Sequence, residues 1–303
     1  TNTALIHFVY SGPVQGQVEA VARVRPRTPL AYGHAIVALN DAPCSGNSLI
    51  GVRFSGNGNV DINGGGVYSN GCLVCSGVSF DVDVVDGNVN FADSTTCNVS
   101  HNVDPAPQLT SPIPASAFVV DEPDCSGLPN RGSHMGSGTI QPGIYTKIQA
   151  TNVHDVLVME PGLYCLTGTP LAFKVTGGEL SGDGVTIFVE SGSVQVSGNV
   201  EPVDLRAPGP DPDPSPAISG VLIFLAEGNT GDVQLTGNSN SYYEGTIYAP
   251  DGEVNVTGSS GTFPTFNTQI VAWNVDVGGS ATIDINFNGA ENYATPPKLD
   301  LQE

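Results

Sequence analysis

The chain has 303 residues, with 30 Asp and Glu against 9 Lys and Arg, a formal net charge of −21. So acidic a surface repels phosphate backbones and anionic membranes, which argues against nucleic acid as a partner and leaves divalent cations or basic partner surfaces as counter-charges. Hydrophobic residues at 39% can fill a core, which excludes wholesale disorder, and 38 Gly with 23 Pro suit a fold with many tight turns.

Residues 1–40 read as a lead-in of strands outside any repeat. Thr3-Ala-Leu-Ile-His-Phe-Val-Tyr10 and Gln17-Val-Glu-Ala-Val-Ala-Arg-Val24 are rich in strand formers. Their apolar positions, Leu5, Ile6, Phe8, Val9, Val18, Val21 and Val24, define an expected assembly strand. It would cap the first coil of the fold or pair with a neighbouring molecule. No signal peptide opens the sequence and no apolar run is long enough to cross a bilayer, so a mature or trimmed product is expected, without a membrane anchor.

Residues 41–130 form a cysteine-rich part. The six cysteines, Cys44, Cys72, Cys75, Cys97, Cys125 and Cys165, are even in number and point to disulfides in an oxidising, extracellular setting. Six cysteines allow fifteen pairings, and Cys125–Cys165 is expected as one bridge. Cys72-Leu-Val-Cys75 has zinc spacing, but no second close pair and no His at finger spacing accompany it. In Phe80-Asp-Val-Asp-Val-Val-Asp86, Asp81 and Asp83 alternate with valine and share one strand face. A solvated face is the plain reading, and paired carboxylates holding Ca²⁺ are the functional one. Pro105 to Pro114 then separates this part from the coils that follow.

Residues 131–303 carry an internal repeat. Phe173-Lys-Val-Thr-Gly-Gly178 and Val194-Gln-Val-Ser-Gly-Asn199 start 21 residues apart. The same spacing joins Val233-Gln-Leu-Thr-Gly-Asn238, Val254-Asn-Val-Thr-Gly-Ser259 and Val275-Asp-Val-Gly-Gly-Ser280. Each unit alternates apolar and polar and then turns at Gly, as a half-buried strand does. Between them run Val185-Thr-Ile-Phe188, Val221-Leu-Ile-Phe224, Thr246-Ile-Tyr-Ala249 and Gln269-Ile-Val-Ala272, near-continuous apolar strands suited to burial on both faces. A third echo is Gly66-Val-Tyr68, Pro142-Gly-Ile-Tyr145 and Pro161-Gly-Leu-Tyr164. Two or three short strands per repeat predict a right-handed parallel β-helix, with a β-sandwich as the alternative. The Pro-rich stretch within residues 201–220 is expected to leave the sheet as a loop.

Candidate chemistry is sparse. The cations, among them Arg23, Arg25, Arg27, Arg206 and Lys298, form no cluster of the kind a polysaccharide lyase needs, and His7, His34, His101, His134 and His154 show no metal spacing. Gly132-Ser-His-Met135 resembles a tag scar and carries no functional weight. Asn98 and Asn255 sit in glycosylation sequons. Trp273 with Tyr242, Tyr243 and Tyr248 suggests either packing of terminal coils or an aromatic sugar platform.

Several stretches resemble TadE/TadG-like proteins of tight-adherence pilus systems. They are residues 17–38, Asn63-Gly-Gly-Gly-Val-Tyr-Ser-Asn-Gly-Cys72, Pro161-Gly-Leu-Tyr-Cys165, Thr246-Ile-Tyr-Ala-Pro250, Ile283-Asp-Ile-Asn-Phe287 and Pro296-Pro-Lys-Leu-Asp-Leu301. The resemblance implies an exported domain that assembles or decorates a surface fibre; the anchor helix of that family is not in this sequence. The expectation is therefore a structural cell-surface protein and not an enzyme, a pilus-associated ectodomain or filament subunit that self-associates or binds fibre components. A calcium-stabilised adhesin and a carbohydrate-directed β-helix are the rivals.

Overall fold

The computed structural model describes residues 21–25, 27–44, 50–77, 80–97, 102–209, 214–238, 240–259, 264–296 and 298–302, with the backbone alone for 21–25 and 298–302. The chain divides into a small unit, residues 1–28 and 296–303, and a large one, residues 29–295. In the small unit Val21–Arg25 pairs antiparallel with Lys298–Gln302, from Val21 opposite Gln302 to Arg25 opposite Lys298.

The large unit is all-β, and every pairing in its main sheet is parallel. Three ladders of strands close around one core. The first stacks Asn130–Met135, Gly143–Ala150, Gly162–Leu166, Val185–Val189, Val221–Leu225, Ser241–Gly258, Thr265–Gly279, His34–Ala38, Gly66–Ser69, Val89–Phe91 and Gln108–Leu109. The second runs through later parts of the long strands and through Leu171–Gly182, Ser193–Arg206 and Asp232–Gly237, then continues into Gly51–Gly56 and Cys72–Gly77. The third begins at Gly138–Ile140 and Val156–Met159 and ends in Ile283–Asn286, Val60–Asn63, Asp81–Val85 and Asn102–Asp104. An antiparallel sandwich does not fit this pairing.

The repeat seen in the sequence is the stacking register. Phe173 lies opposite Val194, and Val233, Val254 and Val275 lie in one column. The apolar runs form a second column, Ile187, Ile223, Ile247, Ile270, Ile36, Val67 and Val89, each fully buried. The Gly66, Pro142 and Pro161 echoes belong to this same first ladder and not to a third one.

Spatial order departs from chain order. The stack starts at Asn130, climbs to Asn286, and continues on top of that with residues 34–104. His34–Ala38 is thus an internal rung between residues 270–272 and Gly66–Ser69, which corrects the expected lead-in boundary at residue 40. Its sequence, two alanines with Ile and Val, is buried on both faces: Ala35, Ile36 and Ala38 pack into the interior, and Val37 packs in the outer cluster with Leu30, Leu39 and Phe118. The seam is closed by side chains from both parts. Gln269, fully buried, donates from Nε2 to the Leu30 and His34 carbonyls at 2.9 and 2.8 Å. Asn40 donates to Asn274 at 2.9 Å, Asn63 donates to Asn286 at 3.0 Å, and Arg53 pairs with Asp276 on the neighbouring rung.

Residues 110–129 carry the chain from one end of the stack back to the other along the outside of the first ladder. The outward column there is apolar too: Cys165, Phe188, Phe224, Tyr248, Val271, Val37 and Tyr68. Phe118 and Val120 of the return segment cover it, with Leu30, Ala31 and Leu39, as a second hydrophobic cluster distinct from the interior one. Tyr68 donates to the Ser111 carbonyl at 2.8 Å, Asn70 exchanges hydrogen bonds with the Ile113 backbone, and Cys125 is bonded to Cys165. The Pro-rich excursion starts later than expected: Ser193–Arg206 is a continuous strand in two ladders, and the chain leaves the sheet at Ala207.

The glycines that end each unit stack at one corner: Gly237, Gly258, Gly279, Gly56 and Gly77. A Cβ on Gly279 would sit 2.3 Å from the Gly258 carbonyl oxygen, on a backbone with φ of +133°. Gly279→Ala is therefore expected to cost about 2–3 kcal/mol by urea unfolding, whereas Gly289→Ala, with no atom nearer than 3.6 Å, costs almost nothing. Equal midpoints for the two variants would show that the corner yields.

Candidate functional site

The end of the stack formed by residues 81–109 carries the densest charge. Asp284, Asp61, Asp83 and Asp104 occupy one outward column of the third ladder on successive rungs. Strand alternation places them there: Val60, Ile62, Val82 and Val84 point into the core, so the residues between them must face solvent. Asp81 belongs to the next column and donates its backbone N–H to Asn59 at 3.1 Å. Asp86 sits in the turn beyond, at a φ of +63°. The Asp61 carboxyl is held above the usual carboxylate range, first by burial, then by the charges of Asp284 and Asp83, a hydrogen bond with Asp284, and Asp81.

The column spacing limits which of these carboxylates could share an ion. Rungs are roughly 4.8 Å apart, so a third carboxylate in a column lies about twice that from the first, too far to share an ion. Among the described residues, Cys44, Cys72 and Asp93 are the group of three that brings ligand atoms together, and its two sulfurs form a disulfide. The third bridge is Cys75–Cys97, so Cys72 and Cys75 are joined to different partners and do not form a zinc pair.

The aromatic residues do not make a platform. Tyr243 is fully buried and stacks on Phe266 at 5.0 Å. Tyr242 lies under Arg206, whose guanidinium carbon is 4.5 Å from the ring centroid. Tyr248 and Trp273 instead line a cavity of about 350 Å³ between the return segment and the first ladder. Its walls are Leu39, Val119, Val120 and Phe224, and its rim holds Glu122, Glu227 and Asp251. The sequence signalled the aromatics but not the cavity, because its other wall comes from residues 115–122, which carry no repeat.

The assembly-strand positions Leu5, Ile6, Phe8, Val9 and Val18 lie outside the described residues. Val21 and Val24 lie in the strand that already pairs with residues of the same chain, opposite Gln302 and Leu299. His7, His101 and Asn98 also lie outside the described residues. His34 packs on Tyr68 at 5.6 Å, and burial lowers its pKa, keeping the ring neutral. Asn255 lies within the second ladder between Gln234 and Asp276. Among the described residues no helix is long and apolar enough to cross a membrane. No family model matches the chain, and no match is found among curated proteins.

The raised Asp61 pKa has a defined stability consequence. Its neutral form is favoured in the folded state, so this contribution is full below the ordinary carboxylate range and is lost as pH rises through the raised value. Asp61→Asn is expected to raise Tm by about 1–2 °C at neutral pH, with no gain in acid where the Asp61 carboxyl is itself neutral. A lower Tm at neutral pH would show that the carboxylate makes favourable bonds that outweigh the repulsion.

Proposed function

We propose that this chain is a structural surface protein built as a right-handed parallel β-helix, and that copies associate end to end through the two open edges of the stack. The observation that carries the reading is the polarity of those edges. The end at residues 81–109 holds Asp81, Asp83, Asp86, Asp93 and Asp104 with no Lys or Arg among its described residues. Towards the other end Arg131, Lys147 and Lys174, none of them in an ion pair among the described residues, stand among Asp155, Glu160 and Glu179, so that end is near neutral where the first is acidic. By contrast, Arg53 and Arg206 are bound to Asp276 and Asp204. Each edge also leaves apolar side chains in water: Leu109 is 67% exposed and Met135 61%.

A head-to-tail contact between unlike ends does not close on itself and grows into a fibre. The acidic end meets an outermost strand whose one fully charged side chain is Arg131, and parallel rungs add to parallel rungs without a change of strand direction. The strand-adding surfaces in this reading are Asn102–Asp104 and Gln108–Leu109 at one end, with Asn130–Met135 and Gly138–Ile140 at the other. They are a second candidate beside the assembly strand expected at Leu5, Ile6, Phe8, Val9, Val18, Val21 and Val24, of which Val21 and Val24 pair along one edge with residues 299–302. Three disulfides suit an extracellular location. The pilus-associated form of this reading rests on the resemblance to TadE/TadG-like proteins. No catalytic role is assigned.

The reading is tested by analytical ultracentrifugation at low salt. Wild type should sediment as a distribution of oligomers that shrinks as salt is added. Arg131→Glu/Lys147→Glu and Asp83→Lys/Asp104→Lys should each be monomeric alone, and their mixture should recover mixed oligomers because every contact then again joins unlike charges. Association of either variant alone to the wild-type extent would overturn the end-to-end contact, as would a monomeric wild type.

A further inference from the structure

We propose that the cavity between the return segment and the first ladder binds an organic cation, an alkylammonium or guanidinium group. This inference stands apart from the assembly reading, since the cavity lies on the side of the stack and not at its ends. Three features of the lining converge on that chemistry. The walls offer aromatic rings, Trp273, Tyr248 and Phe224, with Val119, Val120 and Leu39 to cover methyl or methylene groups. The rim offers the carboxylates of Glu122, Glu227 and Asp251. No Lys, Arg or His lines it.

Two of the carboxylates, those of Glu122 and Asp251, are held in place. Glu122 Oε1 accepts the Glu227 N–H at 2.8 Å, and Asp251 Oδ2 accepts the Gly228 N–H at 2.7 Å. Each has its second oxygen without a protein partner among the described residues. Tyr248 reports that their charge reaches the cavity: its hydroxyl pKa is pushed up to about 12, mainly by burial, with Asp251 and Glu227 adding to the shift while a hydrogen bond to Val120 opposes it. An adjoining depression of about 550 Å³ shares Glu122 and Glu227 and adds Asp124 and Glu190, so the negative field extends beyond the rim.

These features select among ligand classes. Phosphates and carboxylates are repelled. A neutral sugar needs many hydrogen-bonding side chains, and apart from the carboxylates the lining offers Ser116, the Trp273 indole N–H and a Tyr248 hydroxyl already bonded to the Val120 backbone. A cation with an apolar body gains from both parts, by cation–π contact with the rings and by charge pairing at the rim. The volume suits a small group, either a free quaternary amine or the tip of a basic side chain of a partner protein.

Trp273 is the only tryptophan in the chain, so its fluorescence reports this cavity alone. Choline, N-acetyl-lysine-methylamide and arginine should be titrated against it, with 3,3-dimethylbutanol as the neutral isostere of choline. At least one cation is expected to give a saturable change that weakens with salt, while the neutral isostere gives none. Glu227→Gln/Asp251→Asn keeps the acceptor oxygens and should weaken binding about tenfold. Unchanged circular dichroism would confirm that this variant is folded. Preference for choline identifies a small-molecule site, and preference for the lysine or arginine probe identifies a partner's basic side chain. Equal binding of the isostere, indifference to the double substitution in a folded variant, or no saturable change with any cation would overturn the proposal.

Discussion

The structure depends on one junction, the parallel pairing of Ile270-Val-Ala272 with Ile36-Val-Ala38. Above it lie the rungs from residues 34–109 and below it those from residues 130–286. Without it the chain would make two short stacks, each with an apolar end in water, and short stacks are where repeat architectures fail. The partners are more than 200 residues apart in sequence, with Asn40 and Asn274 separated by 234. Loop closure over such a length costs more entropy than the local pairing between successive rungs, although the cost grows slowly with length. Side chains specific to the junction offset it. The buried Gln269 amide, the Asn40–Asn274 and Asn63–Asn286 pairs and the Arg53–Asp276 ion pair all cross it.

The same junction explains the outer layer. Since the cysteine-rich rungs end at residue 109 and the next rung in the chain starts at residue 130 at the far end, the intervening segment must travel the length of the stack. A connection of that length over solvent-exposed strands would leave its backbone and the strands beneath unsupported. Here the first ladder instead presents Phe188, Phe224, Tyr248, Val271, Val37 and Tyr68 outward, and Phe118 and Val120 settle on that column. Phe188, Phe224 and Tyr248 meet edge to face at 5.4 and 4.9 Å, a geometry that continues from rung to rung. The bridge from Cys125 to Cys165 fixes one end of the segment, and the Asn70 and Tyr68 hydrogen bonds fix the other. The cavity beside Trp273 is what remains between a straight ladder and a segment touching it at separated points.

Much of this was legible in the sequence, and the illegible part has a single cause. Period and strand alternation in residues 173–280 define neighbours that follow one another in the chain, so the columns of Val, Ile and Gly could be read directly. Gly51-Val-Arg-Phe-Ser-Gly56 has the same wording as Val275-Asp-Val-Gly-Gly279, and it does stack on it, but similar units pair equally well in pattern with several others. Hydrophobic pattern determines which face of a strand is buried and is silent on which open edge it meets. For that reason His34–Ala38 read as a lead-in and proved to be central. The Asp81 and Asp83 pattern was visible as a strand face. Its extension to Asp61, Asp104 and Asp284 was not, because the column gathers residues from distant parts of the chain.

The division between inward and outward columns also governs where chemistry can reside. Inward columns are fixed by packing: most positions meet apolar side chains on the rungs above and below, and the interior hydroxyls of Tyr145 and Tyr164 are satisfied by backbone carbonyls. The corner glycines are fixed by the approach of neighbouring carbonyls. What stays free to vary is the outward columns and the two ends. The aspartate column is the informative case, because like charges on successive rungs oppose stacking, and burial first and then the charges of Asp284 and Asp83 hold the Asp61 carboxyl above its usual range. An arrangement that weakens the stack locally yet lies beside an open edge is more simply understood as serving that edge than the fold. Arg53, placed opposite Asp276 in the middle of the stack, shows that cross-rung charge pairing is available to this architecture. In the aspartate column no Lys or Arg faces these carboxylates from a neighbouring rung among the described residues.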